Sequence, residues 1–340
     1  MRLVETLWVA LLLAVAPMGA QTTDSSRTRD GVASALAEAR TLVDGGRPAE
    51  ALARLEGLDQ TDPRVQLLTG VALYHADRRR ESIAVLERVR PTLTEGSIER
   101  REAEQVLGLS LFLESRFADA IPWLERTRAA VPNNLEVNFT LGQAYIQTRD
   151  AAGARAALAR TFGVAADSTA ANVVTAQLMI RLQMESLAEA ELTAALARDP
   201  KTPRANYLLG QIALFRGQFD AAVERSTGEL AINPSDAMAA YQLGDALLRL
   251  NRGDEAIGAL QRSLWLNPFY SGPYILLGRA YMKKGQPATA EGMLRRAIEY
   301  DPNNRAAHYL LAQLLQQLGR VEDAKQEFAI AERLSTRGEE

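Results

Sequence analysis

Residues 271–304 read SGPYILLGRAYMKKGQPATAEGMLRRAIEYDPNN. Tyr274, Leu277, Gly278 and Tyr281 recur at steps of three and four, which places them on one face of a helix. Gly285 breaks that pattern, and Ala290, Leu294, Ala297 and Ile298 resume it as a second helix. Asp301-Pro302 ends the second helix, because a residue before proline is pushed out of the helical region. Asn304 is suited to cap the next one. The same layout repeats outward along the chain. Pro200, Pro234, Pro268 and Pro302 stand 34 residues apart, with Pro132 two periods upstream of Pro200. Gly108, Gly142, Ala176, Gly210, Gly244, Gly278 and Ala312 keep the same step. So do Ala120, Ala154, Ala188, Ala222, Ala256, Ala290 and Ala324. Three columns in phase at one period mean a stacked array, in which each unit buries its apolar face on its neighbours.

Two helices joined by a tight turn, with this aromatic–Leu–Gly–aromatic–Ala–Pro layout, resemble the tetratricopeptide repeat family. The resemblance implies an all-α fold: a right-handed α-solenoid of antiparallel helix pairs. From the columns, units fall at 101–134, 135–168, 169–202, 203–236, 237–270, 271–304 and 305–338. Two weaker units precede them. The unit at 63–100 carries an insertion near Pro91–Gly96, and in 32–62 only Gly46, Ala51 and Pro63 keep their mutual spacing. Nine units thus fill 32–338 as one continuous array, leaving 339–340 as a tail. The Gly and Ala columns sit where helix backbones cross, and larger side chains would not fit there. A turn column follows the first helices: Gly46, Asp77, Ser115, Arg149, Gln183, Gly217, Asn251, Gly285 and Gly319. It is mostly Gly, Asn, Asp and Ser, which tolerate turn geometry.

Two places depart from the pattern. The stretch FGVAADSTAA at 162–171 lacks the proline, and Thr175-Ala176 follows it in place of Leu-Gly. Ser226 and Gly228 interrupt the second helix of unit 203–236. A loosened joint near 162–172 and simple drift of the repeat both account for the first departure.

Thirty-nine Lys and Arg against 42 Asp and Glu leave a net charge of −3, so there is no basic footprint for nucleic acid. Arg78-Arg79-Arg80, with Arg88, Arg90, Arg100 and Arg101, lies among Glu81, Glu87, Glu95 and Glu99 and reads as a solvated helix face. The N-terminus lies outside the array. Arg2, an unbroken apolar run from Leu7 to Ala16 and the small residues before Gln21 resemble a secretory signal peptide over 1–20. A run of ten is too short to span a bilayer, which needs about 20 apolar residues. The expected location is therefore exported, periplasmic or envelope-associated; retained, the same segment would act as a membrane anchor. A polar linker follows at 21–31, and the chain has no cysteine, hence no disulfide.

The chemistry of catalysis is missing from the sequence. His75 and His308 are far apart, and His308 occupies the aromatic column of its repeat, where it reads as a half-buried packing residue. There is no H-E-x-x-H, Walker A or G-x-S-x-G stretch and no His/Cys cluster for zinc. The expectation is a non-catalytic protein with no cofactor and no metal.

What remains is a groove. In the family resembled, the first helices line the inner face of the superhelix. One inner column then holds Gln105, Phe139, Val173, Tyr207, Tyr241, Ile275 and Tyr309. One turn on, the next holds Leu109, Gln143, Gln177, Gln211, Asp245, Arg279 and Gln313. The functional reading is an aromatic stripe beside an amide stripe, receiving an extended polypeptide. The structural reading is that the Tyr rings pack between adjacent first helices. The family's carboxylate clamp uses Lys, Asn and Arg where this chain has mostly Gln, Tyr and Ala. The Asn ladder of glycosyltransferase-linked arrays is replaced by Val106, Thr140, Val174, Leu208, Gln242, Leu276 and Leu310. These features point to an exported scaffold or adaptor for protein segments. A self-associating array docking through its terminal repeat, and an accessory subunit of an envelope enzyme or secretion complex, are the other readings.

Overall fold

The computed structural model describes residues 25–336, with side chains described from 31 to 335. The expected signal peptide lies outside the described residues. Among these residues the regular elements are all helical. They divide into two compact units, one ending at Arg116 and the other beginning at Phe117. The first contains α1 (Ser25–Asp44), α2 (Pro48–Glu56), α3 (Pro63–His75), α4 (Arg79–Val89), a 3-10 turn (Arg90–Thr92) and α5 (Ile98–Leu113). The second contains α6 (Phe117–Ala130), α7 (Leu135–Gln147), α8 (Ala151–Phe162), α9 (Thr169–Arg181), α10 (Glu185–Arg198), α11 (Ala205–Phe215) and α12 (Phe219–Ile232). It continues with α13 (Ala237–Arg249), α14 (Gly253–Leu266), α15 (Ser271–Lys283), α16 (Pro287–Tyr300), α17 (Arg305–Gln317) and α18 (Val321–Thr336).

Three features differ from the sequence reading. Helix α1 begins at Ser25, inside the stretch assigned to the polar linker 21–31. The division into two units falls between the helices of repeat 101–134, and not at 162–172, where the repeat signature is weakest. At 162–172 the chain is well terminated: Gly163 closes α8 in the left-handed region, and Ser168 caps α9 by accepting from Ala171 N. Finally, α12 runs unbroken through Ser226 and Gly228.

The turn column explains how each pair folds back. Every member has positive φ, from 59° at Gln183 and Asn251 to 75° at Gly319. In the left-handed region a Cβ crowds the following carbonyl, so glycine is favoured there. The chain nevertheless places Asp77, Ser115, Arg149, Gln183 and Asn251 at these turns. First helices start on side-chain caps: Asp62, Ser97, Asn134, Asp236 and Asn304 each accept from a backbone N–H of the opening turn.

Pairs close through a glycine or alanine of the first helix against a leucine of the second. A Cβ added at Gly142, Gly244 or Gly278 would meet Leu158, Leu260 or Leu294 at 2.5–2.7 Å. Those leucines are fully buried, as are Ala154, Ala256 and Ala290. The repeat at 203–236 solves the same contact differently. Ser226 replaces the leucine, and Gln242 reaches in from α13 to fill the space, its Oε1 accepting from Ser226 Oγ at 2.9 Å. Both residues are buried.

In the second unit each second helix packs on the next first helix, and first helices of successive pairs also touch: α7 with α9, α9 with α11, α11 with α13, α13 with α15 and α15 with α17. Second helices splay. An open cleft of about 370 Å³ lies between α12 and α14 over α13, lined by Val223, Leu230, Leu243, Leu247, Ala259 and Arg262. Close first helices and splayed second helices make the first-helix face the inner one.

The basic patch of the first unit is ion-paired: Arg78 with Glu81 at 2.6 Å, Arg80 with Glu114 at 2.7 Å, Arg100 with Glu95 at 3.0 Å, and Arg79 with Asp77. Among the described residues no helix is long and apolar enough to cross a membrane.

The left-handed turns give opposite expectations for opposite substitutions. Gln183→Gly relieves the Cβ crowding and is expected to stabilise by about 0.5–1 kcal/mol, whereas Gly285→Ala destabilises by about 1 kcal/mol. Thermal melts of the two variants should move in opposite directions. A melt of Gln183→Gly at or below wild type would contradict the strain assigned to these turns.

Candidate functional site

The inner face of the second unit is built from α7, α9, α11, α13, α15 and α17. Its geometry is set at the helix starts, and α11 shows how. Arg204 precedes α11 with φ 65° and provides no side-chain cap. Instead Glu229 of α12, fully buried, accepts from Arg204 N at 2.8 Å and from Tyr207 N at 3.2 Å. Its carboxylate thus satisfies two free donors at the positive end of the helix. The Arg204 guanidinium folds back over the Tyr207 ring, 4.8 Å from its centroid.

The aromatic column is only partly available. Val173 is buried, and Phe139 is half-buried against the cluster formed by Leu158, Val173 and Met179. Tyr207 is half-buried between that cluster and a second one made of Leu230, Ala239 and Ala240. Tyr241 packs on Leu247, Leu248, Leu276 and Leu277, with Tyr270 edge-on at 5.2 Å. Burial pushes both hydroxyls up from the ordinary tyrosine range, and Tyr270 adds to the effect at Tyr241. Tyr309 alone in this column is 47% exposed, resting edge-on against Phe328 at 5.5 Å. Packing between first helices therefore holds most of these rings.

The amide column is the accessible one. Gln177 and Gln211 are exposed, while Gln143, Arg279 and Gln313 are half-buried. Asp245 is half-buried and paired with Arg249 at 3.1 Å. The members of the two columns in the first unit differ: Gln105 is half-buried and Leu109 buried.

A third column, not expected from the sequence, lies one turn beyond the amide column. Four residues beyond the amide column lie Gln147, Arg181, Phe215, Arg249, Lys283 and Gln317. Phe215 is 79% exposed there. Arg249 stacks over Phe219 at 5.5 Å, and Lys283 donates to Asn251 Oδ1 at 3.1 Å, which places this column at the turn-side rim. Extending the four-residue step once more would have found it.

Two further features went unread. Trp265 is 83% exposed and Phe269 74% exposed at the end of α14 and in the loop after it. Other repeats carry Ala129, Gly163, Ala197, Ala231 and Glu299 at the first position, and Asn133, Asp167, Lys201, Ser235 and Asn303 at the second. That contrast is visible in the sequence. His308 is not half-buried but buried, with both ring nitrogens engaged. Nδ1 lies 2.6 Å from Glu327 Oε2, and Nε2 donates to the Pro302 carbonyl at 3.0 Å. Asn138 and Tyr274 make the equivalent bond to the carbonyls of Pro132 and Pro268. At these three positions the column ties a first helix to the loop before it.

Comparisons with known proteins follow the helix pairs. Two models described as tetratricopeptide repeat match, one over residues 111–178 and 281–333 and another over 36–96. A model described as anaphase-promoting complex, cyclosome, subunit 3 matches 183–263. Among curated proteins there is no match. A crystal structure of MamA is 23% identical, covering 48% of this chain and 95% of its own, with a TM-score of 0.44. The Cut9–Hcn1 hetero-tetramer of APC/C is 19% identical, covering 86% of this chain and 59% of its own, with a TM-score of 0.45. YrrB, described as a TPR protein with an unusual peptide-binding site, is 20% identical over 49% of this chain and 86% of its own, with a TM-score of 0.43.

The burial of Tyr241 sets an expectation for denaturation. Tyr241→Ala should lose about 2–3 kcal/mol by leaving a cavity against Leu247 and Leu277, whereas Tyr241→Phe should lose about 0.5–1.5 kcal/mol. Urea titrations of both variants check this. A Tyr241→Ala midpoint equal to wild type would make the ring a surface group.

Proposed function

We propose that this chain, which belongs to the tetratricopeptide repeat family, is a non-catalytic scaffold that holds extended segments of other proteins against the inner face of its second unit. The observation that carries this reading is the row of exposed or half-exposed amides Gln143, Gln177 and Gln211 on the successive first helices α7, α9 and α11, with Gln313 in the same column on α17. Each primary amide can both donate and accept, which suits a peptide backbone lacking other partners. Phe215 at the rim offers an aromatic contact of the kind enriched at binding sites. In this reading the half-buried tyrosines build the floor, and the amides make the contacts.

The reading includes export. Residues 1–20, with Arg2 ahead of the apolar run and small residues before Gln21, support a secretory signal. The partner is then an envelope or secreted protein, and a scaffold with no cysteine is indifferent to the oxidising conditions there.

Two experiments separate this from its alternatives. A photo-reactive phenylalanine analogue at Gln177 or Gln211 should give a defined adduct in living cells, and the same group at Gln261 on α14 should give none. Adducts confined to Gln261 or to Trp265 would move the binding surface to the outer helices. For export, residues 1–31 fused to a reporter active only outside the cytoplasm should give signal. Cytoplasmic retention of the full chain would remove the export half of the proposal.

A further inference from the structure

The inner face and its rim carry an excess of positive charge, although the whole chain is net negative. Arg181, Arg249, Arg279 and Lys283 lie along the amide column and the column one turn beyond it, spanning α9 to α15. The carboxylate in these two columns of the second unit is Asp245, already engaged by Arg249 at 3.1 Å. Lys283 is held only by the neutral Asn251. Arg181 is exposed and Arg279 half-buried, and neither has a hydrogen-bond or ion-pair partner among the described residues. Several cations at the turns and on the second helices are ion-paired instead, although Arg149 at its turn and Arg160 on α8 are not among the described residues. Arg216 pairs with Glu189 at 2.6 Å, Arg252 with Glu255 at 2.7 Å, Lys284 with Asp254 at 2.5 Å, and Arg295 with Glu291 at 2.7 Å. Asp254 and Glu255 are engaged by these pairs, while Glu185 and Asp220 stand in the first turns of α10 and α12, just past the same turns. Glu136 lies at the start of α7, at the opposite end of the first helices, and Arg204 at the start of α11 is stacked over Tyr207.

We infer that the segment bound by this face is acidic: an extended polypeptide bearing Asp or Glu side chains that meet Arg181, Arg279 and Lys283, with an apolar residue against Phe215. This rests on the proposed groove and names its partner by charge. Phe215 lies in the same column between Arg181 and Arg249. The face therefore presents an exposed aromatic flanked by cations, matching carboxylates on either side of an apolar side chain. Such an arrangement steers encounter and excludes basic segments, because like charges brought together are costly. It also differs from the capture of a chain terminus, since the cations are spread over several repeats instead of converging on one carboxylate. A polypeptide is favoured over nucleic acid because the face offers four glutamine amides beside few cations, too few to track a phosphate backbone.

Three fluorescein-labelled peptides of roughly 15 residues, long enough to extend up to ~50 Å, provide the test. They share a Ser, Gly and Leu background and carry Glu, Gln or Lys at alternate positions. Fluorescence anisotropy with the full chain should show the Glu peptide binding about tenfold tighter than the Gln peptide, and the Lys peptide weakest. The Glu preference should shrink as salt is raised. Arg181→Glu with Arg279→Glu should abolish the preference or reverse it towards Lys, and Arg181→Gln with Arg279→Gln should remove it, with helicity by circular dichroism unchanged in both. Equal binding of Glu and Gln peptides, both lost on Gln211→Ala with Phe215→Ala, would overturn the acidic preference and leave the groove standing. Absence of Glu-peptide binding up to about 1 mM would overturn the inference, with adduct formation at Gln177 or Gln211 still reporting on the groove itself. Tighter binding of single-stranded oligothymidylate than of the Glu peptide, sensitive to the same arginines, would assign the face to nucleic acid.

Discussion

The contact on which the rest of this structure depends is the close approach of a glycine or alanine of a first helix to the side chain facing it, leucine in most pairs and Ser226 with Gln242 at Gly210. At Gly142, Gly244 and Gly278 there is no room for a methyl group beside Leu158, Leu260 and Leu294. Backbones held this close fix the distance between the helices of a pair. The left-handed turn residue fixes their direction, and the loop bonds from Asn138, Tyr274 and His308 fix how the next pair begins. Each device is short-range, and its repetition at one period builds the array. The inner face exists because first helices touch while second helices splay.

This constraint also decides what is free to act. Side chains that point along the pair axis or between first helices are committed to packing, as Tyr207 and Tyr241 are. Those one turn further along the same helices are released to solvent, as Gln177, Gln211, Arg181 and Phe215 are. The division of labour follows from helical geometry, because residues four apart share a face but differ in depth as neighbouring helices converge. Among the cations, Arg216 and Arg252 at the turns are neutralised by Glu189 and Glu255, while Arg181 and Arg279 on the inner face have no ion pair among the described residues.

Much of this was legible in the sequence. The turn column coincides with positive φ at every member because a tight reversal demands the left-handed region whatever residue occupies it, even Arg149 or Gln183. Caps such as Asn304 were legible for the same reason: they act within one turn of their own position. Long-range substitutions were not. Ser226 looked like an interruption because its partner, Gln242, lies on the next helix, and only the pair together restores the lost volume. The depth of Tyr207 was hidden too, since it depends on Leu230 and Ala240 of other helices. Glu229 as the cap of α11 belongs to the same class: the sequence around Arg204 shows a missing cap but not what replaces it. The start of α1 at Ser25 was concealed by a polar composition that reads as linker.

Hydrogen–deuterium exchange on the full chain, with and without its captured partner segment, tests the central claim that the first-helix face is the working surface. The account predicts added protection in peptides from the C-terminal halves of α9, α11, α13 and α15, with α10, α12, α14 and α16 unchanged. Protection confined to the second helices, or to the loop carrying Trp265 and Phe269, would contradict it.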